Sequence, residues 1–196
     1  MRVLVVHCHP VETSYSAALH ERVLASLAAA GHQITDLDLY KTGFEAAMPR
    51  QERVDYHNPA KVSAAIESYT RQLADIEGVV LVYPTWWFGM PALLKGYFDR
   101  VWKPGIAFDV ERGVGVEPDR LKHIRHLAVV TTYGSPWWII RLYMGSPDRK
   151  VLKRGLGKLC SADCRIQWLA LYDMDTPSPA KRAAFLDRVA RAMAKL

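Results

Sequence analysis

Gly78-Val79-Val80-Leu81-Val82-Tyr83-Pro84-Thr85-Trp86-Trp87-Phe88-Gly89-Met90-Pro91-Ala92-Leu93-Leu94 is the longest uncharged stretch of the chain. Pro84, Gly89 and Pro91 interrupt it, so it does not read as a membrane-spanning helix. It divides into a strand over Gly78–Tyr83, a loop, and a helix that Pro91 opens. A strand that is apolar throughout is buried on both faces, the habit of parallel sheets covered by helices.

Outward from this strand the same alternation repeats. Further β-type runs lie at Arg2–His7, Gln33–Leu39, His126–Thr132 and Arg165–Tyr172. Helical patterns separate them. Ala17–Ala30 carries Leu19, Val23, Leu27 and Ala30 on one stripe, and Gly31 closes it. Asn58-Pro59 reads as a cap and first helical residue, with Val62, Ile66, Tyr69, Leu73 and Ile76 on the apolar side. Pro91 opens a helix that runs to about Lys103, before Pro104. Ser178-Pro179 opens the last, with Phe185, Leu186, Val189, Met193 and Leu196 facing inward. Strands alternating with helices predict an α/β fold, a doubly wound parallel sheet. Five strands in so short a chain suit the flavodoxin-like order 2-1-3-4-5, where ligands sit beyond the C-terminal strand ends. The expected chemistry therefore falls in three loops, after His7, Tyr83 and Thr132.

The 196 residues, 50% hydrophobic and 23% charged, fit one domain over 1–196 and exclude a disordered chain. The apolar run after Arg2 stops at His7, before a signal-peptide core could form. Three cysteines, Cys8, Cys160 and Cys164, make a disulfide framework improbable and point to a reducing cytoplasm. The net charge of +6 leaves nucleic acid, anionic membrane and anionic small molecules as candidate partners. Two connections, Tyr40–His57 and Pro104–Arg125, are too long for tight turns and read as lids, interfaces or binding loops.

Common motifs are missing. Gly113-Val114-Gly115 lacks the third glycine and following helix of a dinucleotide fingerprint, and there is no P-loop and no G-x-S-x-G elbow. His7-Cys8-His9 and Cys160/Cys164 have no second ligand pair at zinc spacing, so no metal centre is expected. Nor is there a recognisable DNA- or RNA-binding motif.

The three loops carry more. His9 through Ser16 leads into a helix whose free N–H groups suit an anion, although Ser14 or Ser16 could equally be a plain cap. Pro84-Thr85-Trp86-Trp87-Phe88 places three successive aromatics at a strand end. They cannot all enter one core, and they fit either a flat aromatic ligand or a subunit interface. Thr131-Thr132-Tyr133-Gly134 suits close approach of a ligand to the backbone, and Trp137-Trp138 either widens an aromatic cleft or fills the core.

Taken together these residues resemble a known family. His9-Pro10 through Ser16, Asp38-Leu39-Tyr40 with Phe44, Pro84 through Gly96, Phe98-Asp99-Arg100-Val101, Phe108 and Thr131-Thr132 are similar to the flavodoxin-like NAD(P)H:quinone oxidoreductases, the group of DT-diaphorase and modulator of drug activity B. The likeness runs to about Gly145, and its specific part is Pro84 to Val101. It implies a homodimer that binds FAD, or alternatively FMN, and passes hydride from NAD(P)H to a quinone in two half-reactions at one shared site. It places His9, Tyr15 and Ser16 at the flavin phosphate arm. Pro84, Thr85, Trp86, Trp87 and Phe88 fall on one side of the ring system, and Thr131, Thr132, Tyr133 and Gly134 at its other edge. Backbone N–H groups of Thr132–Gly134 are then expected to face the charge of the reduced flavin. FAD is favoured because the first loop lacks the hydroxyl-rich phosphate loop of true flavodoxins.

The chain also departs from the family. Tyr133-Gly134 stands where two glycines are usual. The family's substrate-side Tyr and His have no clear match, and Trp137, Trp138 or Tyr143 is expected to fill that space. Arg141, Arg149, Lys150, Lys153, Arg154 and Lys158 crowd the following stretch, either to meet the 2′-phosphate of NADPH or as a solvated helix face. The alternatives are a flavin-binding regulatory subunit of a glutathione-gated potassium efflux system and a flavodoxin-type electron carrier. Such carriers are usually acidic, unlike this chain.

Overall fold

A computed structural model describes residues 1–111, 115–117, 120–175 and 177–196 of the chain. Its elements run β1 (Arg2–His7), α1 (Tyr15–Ala29), β2 (Gln33–Asp38), α2 (Arg50–Val54), α3 (Ala64–Gln72), β3 (Gly78–Pro84), α4 (Ala92–Val101), β4 (Asp109–Glu111), β5 (Gly115–Glu117), β6 (His126–Thr132), α5 (Pro147–Lys150), β7 (Arg165–Leu171) and α6 (Pro179–Met193). Five of the strands form one parallel sheet in the order β2-β1-β3-β6-β7, the 2-1-3-4-5 order expected when the sheet strands alone are numbered. The small antiparallel pair β4–β5 lies in the second long connection. Gly113 and Val114 of the rejected dinucleotide motif lie outside the described residues.

Register explains why β3 is apolar throughout. Leu37, Val6, Leu81, Val129 and Trp168 form a row across the sheet and feed one core, beside Leu73, Leu94 and Tyr97. The next row, with Val5, Val80 and Ala128, feeds the opposite core against Leu19, Val23 and Leu27 of α1 and Phe185, Val189 and Met193 of α6. Successive residues of β3 thus enter different cores, and no position is left for a polar side chain.

Helix starts follow the caps with one exception. Ser14 Oγ accepts from Ala17 N–H at 3.1 Å, Ser178 Oγ accepts from Lys181 N–H at 3.3 Å, and Pro91 precedes α4. Asn58-Pro59 does not open a helix. Asn58 Oδ1 accepts from Ala60 N–H at 3.1 Å in a local turn, and α3 begins later, where Ser63 Oγ accepts from Ala65 N–H. The intervening residues are held elsewhere: the Lys61 carbonyl accepts from the buried Lys103 ammonium at 2.8 Å. An Asx turn and an N-cap have the same local sequence signature, and this distant lysine helps decide between them.

Arg100 of α4 fastens the first long connection. Its Nε and Nη2 donate to both carboxylate oxygens of Glu52 at 2.8 and 2.6 Å, and it also donates to the Glu45 carbonyl. Gly96 makes that approach possible: a Cβ there would sit 2.5 Å from the Cα and carbonyl oxygen of Ala46. Gly96→Ala is expected to lower unfolding free energy by about 1–3 kcal/mol, because backbone must move to admit the methyl. Urea unfolding of the variant beside the native chain measures this.

Candidate functional site

The C-terminal ends of β1, β3, β6 and β7 open onto one cavity of about 770 Å³. His9, Tyr15, Ser16, Pro84, Thr85, Trp86, Trp87, Phe88, Thr132, Tyr133 and Gly134 line it. Thr131 stands behind the wall, fully buried, with its hydroxyl 2.9 Å from that of Thr85. Trp137, Trp138 and Tyr143 are exposed on the helical turns after the third loop and take no part in the wall, which there consists of Pro136 and Ile140. Met174 and Asp175, from a fourth loop after β7, complete it. Sequence reasoning missed that loop by looking only at the inner strands; β7 pairs with β6, so its C-terminal end reaches the same edge.

The first loop turns into α1, a helix of 15 residues whose first turn offers unpaired N–H groups. Ser16 Oγ is buried and has no hydrogen-bond partner among the described residues. His9 Nδ1 lies 3.0 Å from the Val11 nitrogen and 3.2 Å from the Val11 carbonyl oxygen, so the loop holds the ring through Nδ1. Tyr15 behaves otherwise than expected. Its hydroxyl donates to the Arg182 carbonyl at 2.7 Å, and burial, offset in part by the Arg182 charge, pushes the phenol up to about 12. Only its ring remains for the cavity.

The second loop is a tight two-residue turn. Trp86 N–H donates to Gly89 O and Gly89 N–H to Trp86 O, each at 3.0 Å. Between them Trp87 and Phe88 have φ of 49° and 60°. Both central residues are therefore left-handed, as in the turns that usually take Asn-Gly. Two bulky aromatics there cost about 1–2 kcal/mol each. Phe88 recovers part of this against Tyr133, Ile140 and Ala170. Trp87 recovers nothing from this chain, being 96% exposed. Strain held without internal compensation marks a functional position.

The third loop folds its aromatic into the protein. Tyr133 is 2% exposed, and its ring stacks on Tyr172 with centroids 5.0 Å apart. Its hydroxyl donates to Asp148 Oδ2 at 2.6 Å, and Thr85 Oγ1 donates to the same oxygen at 3.4 Å. Arg149 N–H donates to the other oxygen at 2.7 Å. The Tyr133 N–H is committed to Leu171 O at 2.8 Å, so the expected set of backbone donors over Thr132–Gly134 is narrower than the sequence implied. A Cβ at Gly134 would lie 2.8 Å from Asp175 Oδ2 and would displace that exposed carboxylate.

Burial pushes the Asp148 carboxyl up, against the hydrogen bonds of Tyr133, Arg149 N–H and Thr85, which act to lower it. Burial, and then the Asp148 charge, push the Tyr133 phenol well above its ordinary value. A carboxyl raised on folding holds its proton in the native chain where the unfolded chain has lost it. Its contribution to stability is complete below about pH 4 and is lost as pH rises through the folded value. Asp148→Asn removes that loss. The variant's stability relative to the native chain should therefore climb as pH rises above about 4 in urea titrations. A difference that stays flat with pH would show that Asp148 ionises as in an unfolded chain.

Comparison with known proteins places this geometry. The family model described as a flavodoxin-like fold matches residues 1–195. The uncharacterized NAD(P)H oxidoreductase YcaK of Escherichia coli (strain K12) is 35% identical over 112 residues, which are 55% of this chain and 55% of that one. The ribosyldihydronicotinamide dehydrogenase (quinone) of Rattus norvegicus is 31% identical over 128 residues, 56% of this chain and 54% of its own. The chain spans about half the length of the curated relatives it matches. Among solved structures, Smu.1420 from Streptococcus mutans UA159 superposes with a TM-score of 0.86 at 28% identity over the whole of both chains. The NAD(P)H:quinone oxidoreductase from Methanothermobacter marburgensis follows it with 0.82 at 24% identity, covering 100% of this chain and 95% of that one. With the sheet order, the position of the cavity and a family match over nearly every residue in agreement, the chain belongs to the flavodoxin-like fold family.

Proposed function

We propose that this chain is a flavin-dependent NAD(P)H dehydrogenase that reduces quinones or similarly flat, electron-poor acceptors, and that residues 1–196 act as one flavin-binding unit. The observation that carries the reading is the strained turn at Trp87 and Phe88 on the rim of a cavity at the sheet's C-terminal edge. The names borne by the bacterial and rat relatives, NAD(P)H oxidoreductase and ribosyldihydronicotinamide dehydrogenase, favour the same chemistry.

The donor set fits a flavin. An orphaned Ser16 hydroxyl and the N-terminus of α1 suit a phosphate arm, and the His9 ring lines the cavity beside them. Pro84 through Phe88 supply a flat apolar wall, and Thr132 with Gly134 the opposite edge. A bound flavin would relay a hydride from NAD(P)H to the acceptor, in two half-reactions. The chain's own part is to bind, orient and exclude water. Trp86 and Trp87 stand on the exposed rim of that wall, where they would bound the open side of the ring system. No residue need form a covalent bond. We assign FAD ahead of FMN on the family resemblance. We further assign a homodimer, with the exposed Trp137, Trp138 and Tyr143 beside the cavity as its contact, acting in the cytoplasm.

The purified protein tests this directly. It should be yellow, release FAD on denaturation, and consume NADPH steadily with a soluble quinone. A colourless protein that takes up neither flavin overturns the reading, and one that reduces only once per flavin indicates a carrier. Trp87→Ala should leave unfolding unchanged, because the side chain touches nothing, while flavin retention falls. Loss of one stacking contact, about 0.5–1.5 kcal/mol, is roughly a three- to tenfold weaker hold. Equal retention in an equilibrium flavin titration would remove Trp87 from the site.

A further inference from the structure

One side-chain cluster lies outside this cavity and takes no part in the proposed reaction. His7 ends β1, Asp38 ends β2 opposite it in register, and His20 faces them from α1. All three are buried, at 3%, 8% and 6% exposure. One ligand-type atom from each lies within 4.8 Å of the other two. His7 Nδ1 is 3.0 Å from Asp38 Oδ2, and His20 Nε2 is 2.7 Å from Asp36 Oδ1. The His7 and His20 rings stack 4.4 Å apart and almost parallel, at 3°. His7 Nε2 is buried with no partner among the described residues. A second cavity of about 380 Å³ opens beside the three side chains.

We propose that His7, His20 and Asp38 form a binding site for one divalent transition ion of the zinc class. Two imidazoles and one carboxylate are the donor set of such ions, and not of magnesium or calcium, which take oxygen alone. His7 Nδ1 and Asp38 Oδ2, hydrogen-bonded at 3.0 Å, would both reach an ion that replaced the shared proton, with legs of about 2.0–2.2 Å after a small opening. Asp36 is already in the place of the carboxylate that commonly orients a ligating histidine from outside. With Nε2 held by Asp36, Nδ1 is the nitrogen that His20 has left for the ion. The adjoining cavity supplies room for water on the remaining positions. Cys8 is not a candidate ligand: it packs into the opposite core. An ion here ties the ends of β1 and β2 to α1, beneath the loop that begins at His9.

Nothing in this proposal depends on flavin, and its test does not read activity. Full-length chain without an affinity tag is stripped with EDTA, equilibrated with zinc chloride, dialysed and analysed for metal by mass spectrometry. One zinc per chain is expected. His20→Gln and His7→Asn should each weaken retention by roughly tenfold or more, with unchanged far-UV circular dichroism for the His20 variant. Cys164→Ser should retain zinc as the native chain does. No zinc after dialysis overturns the site, leaving a plain pair of carboxylate-bound histidines. Full retention in His20→Gln overturns it too, and so does loss in Cys164→Ser, which would move the ion to the Cys160/Cys164 pair.

Discussion

Burial of β3 on both faces is the constraint from which the rest of the molecule follows. A central parallel strand has its backbone bonded on both sides and its side chains taken by two cores, so it offers no polar surface of its own. Function must therefore sit where the strand stops. Pro84 is its last residue, and Thr85 N–H makes one more bond, to Thr132 O at 2.8 Å, before the chain turns away. Parallel neighbours β1, β6 and β7 end along the same edge, and the cavity is the space their four loops enclose.

The strain at Trp87 and Phe88 is affordable because of that rigidity. A left-handed pair of aromatics in a free loop would relax to an ordinary turn. Here the turn is clamped on one side by the end of β3 and on the other by α4, which begins three residues after Gly89 and is itself buried through Leu94, Tyr97 and Phe98. The mutual bonds of Trp86 and Gly89 close the remaining freedom. The two cores thus supply the stability that holds the strained backbone beneath an exposed indole, which is how a packed scaffold fixes where a ligand surface stands.

Sequence patterns revealed the parts of this arrangement that depend on local rules. Each sheet strand was legible because an apolar run of strand length between turn residues has few other readings, and α1, α4 and α6 because Ser14, Pro91 and Ser178 mark their starts. The start of α3 was not, because Asn58 serves equally in a turn. The helical turns over residues 139–159 were not either: their apolar residues, Ile140 and Leu152 inward but Leu142 and Val151 outward, follow no steady period. The cavity's residues were mostly named from three loops, yet what each side chain does was hidden. Tyr15 is drawn to Arg182 and Tyr133 to Asp148, partners supplied by other elements. His7, His20 and Asp38 have no motif spacing, since only the strand pairing brings them together.

Asp148 also changes how the net charge of +6 is understood. A basic surplus favours anionic ligands in general, but it does not say where on the site they can lie. The two ends of the cavity differ. At the α1 end, the helix terminus offers N–H donors, and the His9 ring and the Ser16 hydroxyl lie beside it. At the opposite end, Tyr133 and Thr85 back onto a carboxyl that burial pushes toward its neutral form. A neutral acid there repels a ligand gathering electrons less than a carboxylate does, and burial moves Asp148 in that direction. On the proposed function the cavity therefore separates its tasks along its length. Charge recognition belongs to the first loop, and the third loop supplies a well-packed backing whose acidic groups are the buried Asp148 and the Asp175 that Gly134 faces.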